Sequence, residues 1–307
     1  MVDERPLVWL PFDAAELGAV PPRLRFETVV PRADDLPDSA AEVEFYVPPY
    51  DVGRGHAAVL SRLPRLRVVQ TLTAGVDAVR ADVPDGVTLC NGRGIHNAST
   101  AELALTLTLA SLRGVPGFVR DQDRGVWNQG WRPALADSTV LVVGYGDIGR
   151  DIERRLAPFE VDVLRVARTA RDGVHALSAL PSLLPRCEVV ILIVPETSLT
   201  RGMVDHRFLG AMKPGALLVN VARGAVVVTD DLLAALRAGR VHAALDVTDP
   251  EPLPADHPLW SAPNLLLTPH VGGATSAMWP RAHRLLREQL ARFADGEQLA
   301  NVMTGEY

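Results

Sequence analysis

Cysteine is nearly absent from this sequence. Of 307 residues only Cys90 and Cys187 carry a thiol, far apart and at the edges of apolar strand-like runs. A disulfide framework is excluded, and two reduced core thiols are expected. No group of His, Cys, Asp and Glu has metal-ligand spacing, so no metal is expected. No apolar run approaches the roughly 20 residues that span a bilayer, which leaves no membrane partner. The start, MVDERPLVWL, is acidic and lacks the charged-then-apolar layout of a signal peptide, so a cytoplasmic protein is expected. A basic block is missing too: the formal net charge is -6 and the basic residues are scattered, which argues against a nucleic-acid partner. There is no internal repeat and no low-complexity segment.

What remains is an ordinary globular composition, 48% hydrophobic and 22% charged, long enough for two domains or one large one. Up to about residue 95, LVWLP, ETVVP, EVEFYVP, LRVVQTL and VTLCNG read as short strands, with amphipathic pieces such as AAVLSRL between them. That pattern predicts a small α/β domain. NASTAELALTLTLASLRG predicts a helix capped by Ser99 or Thr100, apolar through Leu103, Leu105, Leu107 and Leu109, stopped at Gly114 and long enough to bridge two domains. After Trp127 and Trp131 a second series begins: STVLVVG, VDVLRVA, CEVVILIV, GALLVNVA, VHAALDV and NLLLTP, separated by RDIERRL, VDHRFLGAM and DDLLAALRAG. These nearly continuous apolar runs suit strands buried on both faces. Their alternation with helices implies a parallel sheet with right-handed crossovers. The last segment, ATSAMWPRAHRLLREQLARFADG, predicts an amphipathic helix with a bend near Pro280, returning to the first domain. The fold class is α/β, with two doubly wound parallel-sheet domains.

The second series opens with Gly144-Tyr145-Gly146-Asp147-Ile148-Gly149, between the strand TVLVV and a helix. In that context the first glycine makes a tight turn, the second admits a pyrophosphate and the third lets helix and strand pack closely. The helix N-terminus then offers N–H groups and a positive dipole end to phosphates. A glycine turn without a ligand is the alternative. About 20 residues past Gly149, where NAD sites carry an acid for the ribose 2′-hydroxyl, stands Ala167-Arg168-Thr169-Ala170-Arg171. Asp172 comes only later. A carboxylate repels a 2′-phosphate, whereas Arg168, Thr169 and Arg171 suit one, so NADP is expected over NAD. Solvated surface arginines are the alternative.

Three residues follow the ends of later strands: Arg223 after ALLVNVA, Glu251 shortly after VHAALDV and His270 after NLLLTP. Ligands of open α/β sheets bind outside the carboxyl ends of the strands, so the three should converge at one rim. A carboxylate beside a histidine favours imidazolium, a proton donor to a carbonyl oxygen. An arginine fork fits a carboxylate. Gly224 lets the chain turn beside Arg223, and Gly272 and Gly273 admit a ligand near His270. Taken singly, each of the three is more ordinary as a solvated side chain. His56, His175, His206, His242, His257 and His283 lack such a setting, and His96 lies near the start of the long helix. Leu72-Thr73-Ala74-Gly75-Val76-Asp77 is either a carboxylate-binding turn of exposed N–H groups or an ordinary tight turn.

At these positions the sequence resembles the D-isomer-specific 2-hydroxyacid dehydrogenases, over most of the chain and most strongly from Thr73 to Thr275. The resemblance is carried by the loop Gly144–Gly149, by MKPGALLVNVARG ending at Gly224, by LDVTDPEP from Leu245 to Pro252, and by LTPHVGGAT from Leu267 to Thr275. It implies that Arg223 binds the substrate carboxylate and carbonyl, that Glu251 pairs with His270, and that His270 exchanges the proton. It implies substrate N–H contacts at Ala74 and Gly75, and cofactor contacts at Thr100, Val194, Pro195, Val221, Ala222 and Asp246. The implied fold is a flavodoxin-like substrate domain of residues 1–95 and 277–307 around a Rossmann-like NADP-binding domain of residues 96–276. A homodimer joined through the cofactor domain is also implied.

There are departures. Asn91-Gly92-Arg93-Gly94 stands where many members have Asn-Xaa-Pro-Gly, and Arg93 either recognises a second anionic group or reaches solvent. The Ala-Arg-Thr replacement of the strand-end acid resembles NADP-using glyoxylate and hydroxypyruvate reductases. Trp279 either walls the substrate pocket or packs. The expected reaction is NADPH-dependent reduction of a small 2-oxo acid, glyoxylate or hydroxypyruvate, to the D-2-hydroxy acid, with His270 as proton donor. Two other readings are a formate- or phosphite-dehydrogenase-like oxidoreductase and a non-catalytic dinucleotide-sensing protein.

Overall fold

A computed structural model of the chain describes residues 3–50, 56–77 and 79–305, the side chains of His56 and Ala57 excepted. The expectations for residues 1, 2, 51–55, 78, 306 and 307 and for the His56 side chain lie outside the described residues. There are two compact units, Met1–His96 with Ser276–Tyr307, and Asn97–Thr275.

The unit made from the chain ends begins with β1 (Leu7–Leu10), β2 (Arg25–Thr28), β3 (Val43–Tyr46), α1 (His56–Leu60), β4 (Val68–Gln70) and β5 (Thr88–Cys90). All pairings are parallel, in the order β2-β1-β3-β4-β5, the doubly wound flavodoxin-like order. Successive side chains of a strand face opposite ways. Val8 and Leu10 therefore join Phe45 and Val68 in one core, and Leu7 and Trp9 join Val43, Tyr46 and Val69 in another. β2 stops at Thr28, short of the run ETVVP, because it is an edge strand running into Pro31, which has no N–H to donate.

The inserted unit comprises α2 (Asn97–Leu112), α3 (Val115–Asp123), β6 (Thr139–Val143), α4 (Asp147–Leu156), β7 (Asp162–Ala167), β8 (His175–Ala176), α5 (Leu180–Leu183), β9 (Val189–Leu192), α6 (His206–Ala211), β10 (Leu217–Asn220), α7 (Thr229–Arg237), β11 (His242–Leu245) and β12 (Leu265–Leu267). Its sheet is parallel throughout, ordered β12-β11-β10-β9-β6-β7-β8. The winding direction reverses between β6 and β9, which defines a switch point. β9 and β10 are buried along their whole length, as their uninterrupted apolar runs imply.

Several sequence expectations need correction. α2 starts at Asn97, so Ser99 and Thr100 lie inside its first turn rather than capping it. Both are buried, with Ser99 Oγ 2.7 Å from Thr275 Oγ1 and Thr100 Oγ1 donating to Gly272 O at 3.5 Å. α2 lies wholly in the inserted unit. It buries Ala101, Ala104, Leu105, Leu107 and Thr108, so the face is set by its small residues as well as its leucines. Gly114 ends it in the left-handed region, but α3 begins at the next residue. Pro116 and Gly117 mask α3 in the sequence, although a proline in the first helical turn costs nothing.

The chain then returns through α8 (Met278–Asp295), whose Met278, Ala282, Leu286 and Leu290 enter the core holding Val8 and Phe45. Pro280 lies in the first turn of α8, where it has no helical N–H bond to lose, and not at a bend within it. Beyond α8 the chain pairs with β5, Met303 N donating to Leu89 O at 2.8 Å. Cys90 and Cys187 are buried free thiols. Among the described residues no helix is long and apolar enough to cross a membrane, and no group of His, Cys, Asp and Glu is placed to hold a metal.

Candidate active site

Register places the ends of the central strands in one row. Val166, Val143, Leu192, Asn220, Leu245 and Leu267 are Cα partners from β7 to β12. The residues that follow them include Arg168, Gly144, Val194, Arg223, Asp246 and His270, all on one rim of one sheet. Strands lie about 4.8 Å apart, so β7 and β10 are separated by about 15 Å.

At β6 the chain turns through Gly144, whose φ of 110° suits glycine and whose added Cβ would lie 2.3 Å from Ile193 O. A Cβ on Gly149 would lie 2.4 Å from Gly144 O, so this glycine is what lets α4 approach β6. A Cβ on Gly146 would meet nothing within 4 Å. The N-terminus of α4 has no side-chain cap, and its ladder begins with Arg150 N donating to Gly146 O at 3.0 Å. Open space beside Gly146, ahead of uncapped N–H groups and a positive dipole end, fits the pyrophosphate of a dinucleotide. Asp147 turns its carboxylate to Arg150, 3.0 Å away. Farther along the rim Val194, Val221 and Ala222 are buried and Pro195 is exposed.

At the end of β7, Arg168, Thr169 and Arg171 are exposed, and no carboxylate occupies the strand end. No motif in the sequence marks a role for Tyr145, Glu153 or Arg165 here. Arg165 lies within β7 and pairs with Glu153 of α4, whose other oxygen accepts the Tyr145 hydroxyl. An arginine inside an otherwise apolar strand was the available signal, since such a charge needs a partner.

At β10 the fully buried Asn220 ties the turn: its Oδ1 accepts from Ala222 N and its Nδ2 donates to Arg223 O, both at 3.0 Å. Gly224 follows because the chain passes against another loop: an added Cβ would lie 1.9 Å from Thr248 O. That approach puts the turn of Arg223 against the loop that carries Glu251. Arg223 is half-buried, with Nη1 donating to Ala222 O at 2.7 Å.

The loop carrying His270 is fixed by Asp246, which is only 3% exposed. Its Oδ1 accepts from Thr268 Oγ1 at 2.6 Å and Val271 N at 2.9 Å, and its Oδ2 accepts from Gly272 N at 2.9 Å. Its backbone O accepts from His270 N at 2.8 Å. These bonds hold His270 at a φ of 53°, a left-handed conformation uncommon outside glycine. Asp246 and Thr100 thus spend their side chains within the protein, a clamping role no sequence motif announces. His270 Nδ1 lies 2.5 Å from Glu251 Oε1, with the two side chains 48% and 39% exposed.

The Glu251 hydrogen bond raises the His270 pKa above the ordinary histidine value, against burial and the Arg223 charge. Burial pushes Glu251 upward, but the His270 bond and charge, Thr248 N–H and Arg223 outweigh it and hold the carboxyl down. Both shifts favour the charged pair, imidazolium beside carboxylate. Nε2 is bonded to no described residue and Nδ1 is held, so the ring presents one acidic N–H beside a guanidinium. Such a pair can protonate a carbonyl oxygen next to a carboxylate.

In the unit of the chain ends, the turn after β4 is braced by Asn91 Nδ2 donating to Ala74 O at 2.8 Å and Gly92 N donating to Thr73 O at 2.7 Å. The N–H groups of Ala74 and Gly75 bond to no described residue, which leaves them able to take an anion. His96 Nε2 lies 2.9 Å from Leu72 O and its ring 5.5 Å from that of Tyr50. Arg93 is exposed. Trp279 packs on Phe12 and His283, ring centroids 5.5 and 5.6 Å away.

The profile of "D-isomer specific 2-hydroxyacid dehydrogenase, NAD binding domain" matches residues 105–272. A glyoxylate reductase/hydroxypyruvate reductase of Homo sapiens is 35% identical over 225 residues, 68% of this chain and 68% of that protein. A crystal structure of a D-isomer specific 2-hydroxyacid dehydrogenase from Xanthobacter autotrophicus, in complex with NADPH and MES, is 32% identical with a TM-score of 0.81, covering 97% of this chain and 98% of that one. A member of the same family from Aeromonas salmonicida is 31% identical with a TM-score of 0.85, covering 98% and 99%.

Proposed function

The chain belongs to the D-isomer-specific 2-hydroxyacid dehydrogenase family, and from that premise we propose that it reduces a small 2-oxo acid to the D-2-hydroxy acid with NADPH. Membership makes it an oxidoreductase of 2-oxo or 2-hydroxy acids that uses a nicotinamide dinucleotide. The observation that carries the finer reading is the His270–Glu251 pair, 2.5 Å apart, within reach of the Arg223 charge. Arg223 binds the substrate carboxylate and polarises the carbonyl. Glu251 holds Nδ1 and keeps the imidazolium charged. His270 gives the Nε2 proton to the carbonyl oxygen. The loop Gly144–Gly149 and the rim at Val194 and Val221 would hold the dinucleotide, which would supply the hydride when bound.

Glyoxylate and hydroxypyruvate lead because the Homo sapiens relative is named for both. NADPH is favoured by Arg168 and Arg171 at an acid-free strand end, and the Xanthobacter autotrophicus relative was crystallised with NADPH. The test is oxidation of NADPH and NADH with glyoxylate, hydroxypyruvate, pyruvate and phenylpyruvate. Turnover with NADPH on one of them is expected, and none on any refutes the reading. Arg168→Ala should raise KM for NADPH by about ten- to a hundredfold, the worth of a charged hydrogen bond, and leave NADH nearly unchanged. Equal effects on both cofactors remove the 2′-phosphate assignment.

Self-association through the inserted unit belongs to the same proposal. Trp127 and Trp131, in the segment after α3, are 93% and 100% exposed, with Phe118, Val119 and Val126 exposed nearby in sequence. Apolar surface of this kind calls for a partner. Sedimentation should give twice the chain mass of 33.1 kDa, and Trp127→Glu with Trp131→Glu should return it to one chain. A wild-type monomer would end the idea.

A further inference from the structure

Tyr145 links the phosphate loop to the arginines that follow β7. Its hydroxyl donates to Glu153 Oε2, and Glu153 Oε1 accepts from Arg165 Nε at 2.8 Å. The Arg165 hydrogen bond, more than any other influence, holds Glu153 below the usual carboxylate range. Arg165 is thus neutralised by its own partner and contributes little net attraction for an anion. Arg171 differs. Its guanidinium lies 5.8 Å from the Tyr145 ring centroid, and its Nη2 donates to Tyr145 O at 2.5 Å. Its backbone is pinned by two bonds with Val174, of 3.0 and 2.8 Å. An exposed arginine that would otherwise sample many rotamers is therefore held by the ring and carbonyl of one residue. Arginine has five N–H donors, and one bond to Tyr145 O leaves four for a ligand.

We propose that Tyr145 is a positioning residue for the 2′-phosphate of the dinucleotide, holding Arg171 in advance where that phosphate binds. The inference rests on the NADPH reading. Prior ordering removes the entropy that a mobile side chain loses on binding, and cation–π contact adds to the hold. The hydroxyl serves Glu153 and through it Arg165, and the carbonyl serves Arg171. The ring faces both guanidiniums, each 5.8 Å from its centroid, of which only that of Arg171 lacks a carboxylate partner of its own among the described residues. Tyr145→Phe and Tyr145→Leu therefore separate the two roles.

The experiment is calorimetric titration of NADP+ and NAD+ into the wild type, Tyr145→Phe, Tyr145→Leu, Arg171→Ala and the Tyr145→Leu/Arg171→Ala double variant. Wild-type protein should bind NADP+ more tightly than NAD+. Tyr145→Phe should keep that ratio, and Tyr145→Leu should reduce it by about tenfold. In the Arg171→Ala background the leucine substitution should reduce it no further, because the two residues act as one. Equal weakening of both nucleotides by Tyr145→Leu, or additive effects in the double variant, overturns the proposal and leaves the NADPH reading standing. Equal binding of NADP+ and NAD+ by the wild type overturns that reading and the inference together.

Discussion

His270→Gln lowers kcat for 2-oxo acid reduction by about 10²–10⁴-fold, the usual worth of a positioned acid–base group, and changes the Kd for NADPH little. Glutamine keeps a polar head at a similar reach but carries no transferable proton. The pH profile of the wild type follows from the pair. Glu251 raises the His270 pKa, so reduction is fastest on the acid side and falls as pH rises through that raised value. Oxidation of the hydroxy acid needs neutral imidazole and has the opposite limb. Glu251→Gln removes the main cause of the shift, so the falling limb moves to lower pH. A limb that stays in place in this variant refutes the assignment of Glu251.

Stability shares this linkage with a definite sign. The His270 contribution is present below the unfolded histidine value and lost as pH rises through the folded one. The Glu251 contribution, from a lowered pKa, is present above the unfolded carboxylate value and lost as pH falls through the folded one.

Gly224→Ala should be nearly as damaging without touching a reacting group. The new Cβ would lie 1.9 Å from Thr248 O and 2.7 Å from Asp249 N, backbone atoms that cannot rotate away. The Arg223 turn and the Glu251 loop must separate. A misplacement of about 1 Å costs about a hundredfold in rate, and forced overpacking costs about 1–3 kcal/mol of stability. The expected result is a fall of about a hundredfold in kcat/KM with a lowered Tm. Gly146→Ala is the control, because its Cβ would meet nothing within 4 Å. It should melt like the wild type while binding the dinucleotide more weakly. Wild-type kcat/KM in Gly224→Ala would show that the two loops have freedom the structure does not display.

The parallel sheet of the inserted unit was readable because its strands are buried on both faces and spell uninterrupted apolar runs. Arg223, Glu251 and His270 stood out because each follows such a run. The α3 helix was not readable, since Pro116 and Gly117 imitate a break while sitting in a first turn. β8 has two residues, too few for any periodicity. The clamp at Asp246 and the Tyr145–Glu153–Arg165 network were hidden for another reason. Each joins residues from different elements, and local pattern carries no information about which strand end lies beside which.

The placement of α8 also bears on how the protein is made. Arg287 Nη1 donates to Leu17 O across 270 residues of chain, and Gln289 Nε2 to Gln70 Oε1 across 219. The first five strands therefore leave the ribosome long before the helix that completes their core exists. The inserted unit, complete once Thr275 has emerged, can fold while those strands still wait. Domains generally fold as units during synthesis, and here the unit translated first is the unit finished last.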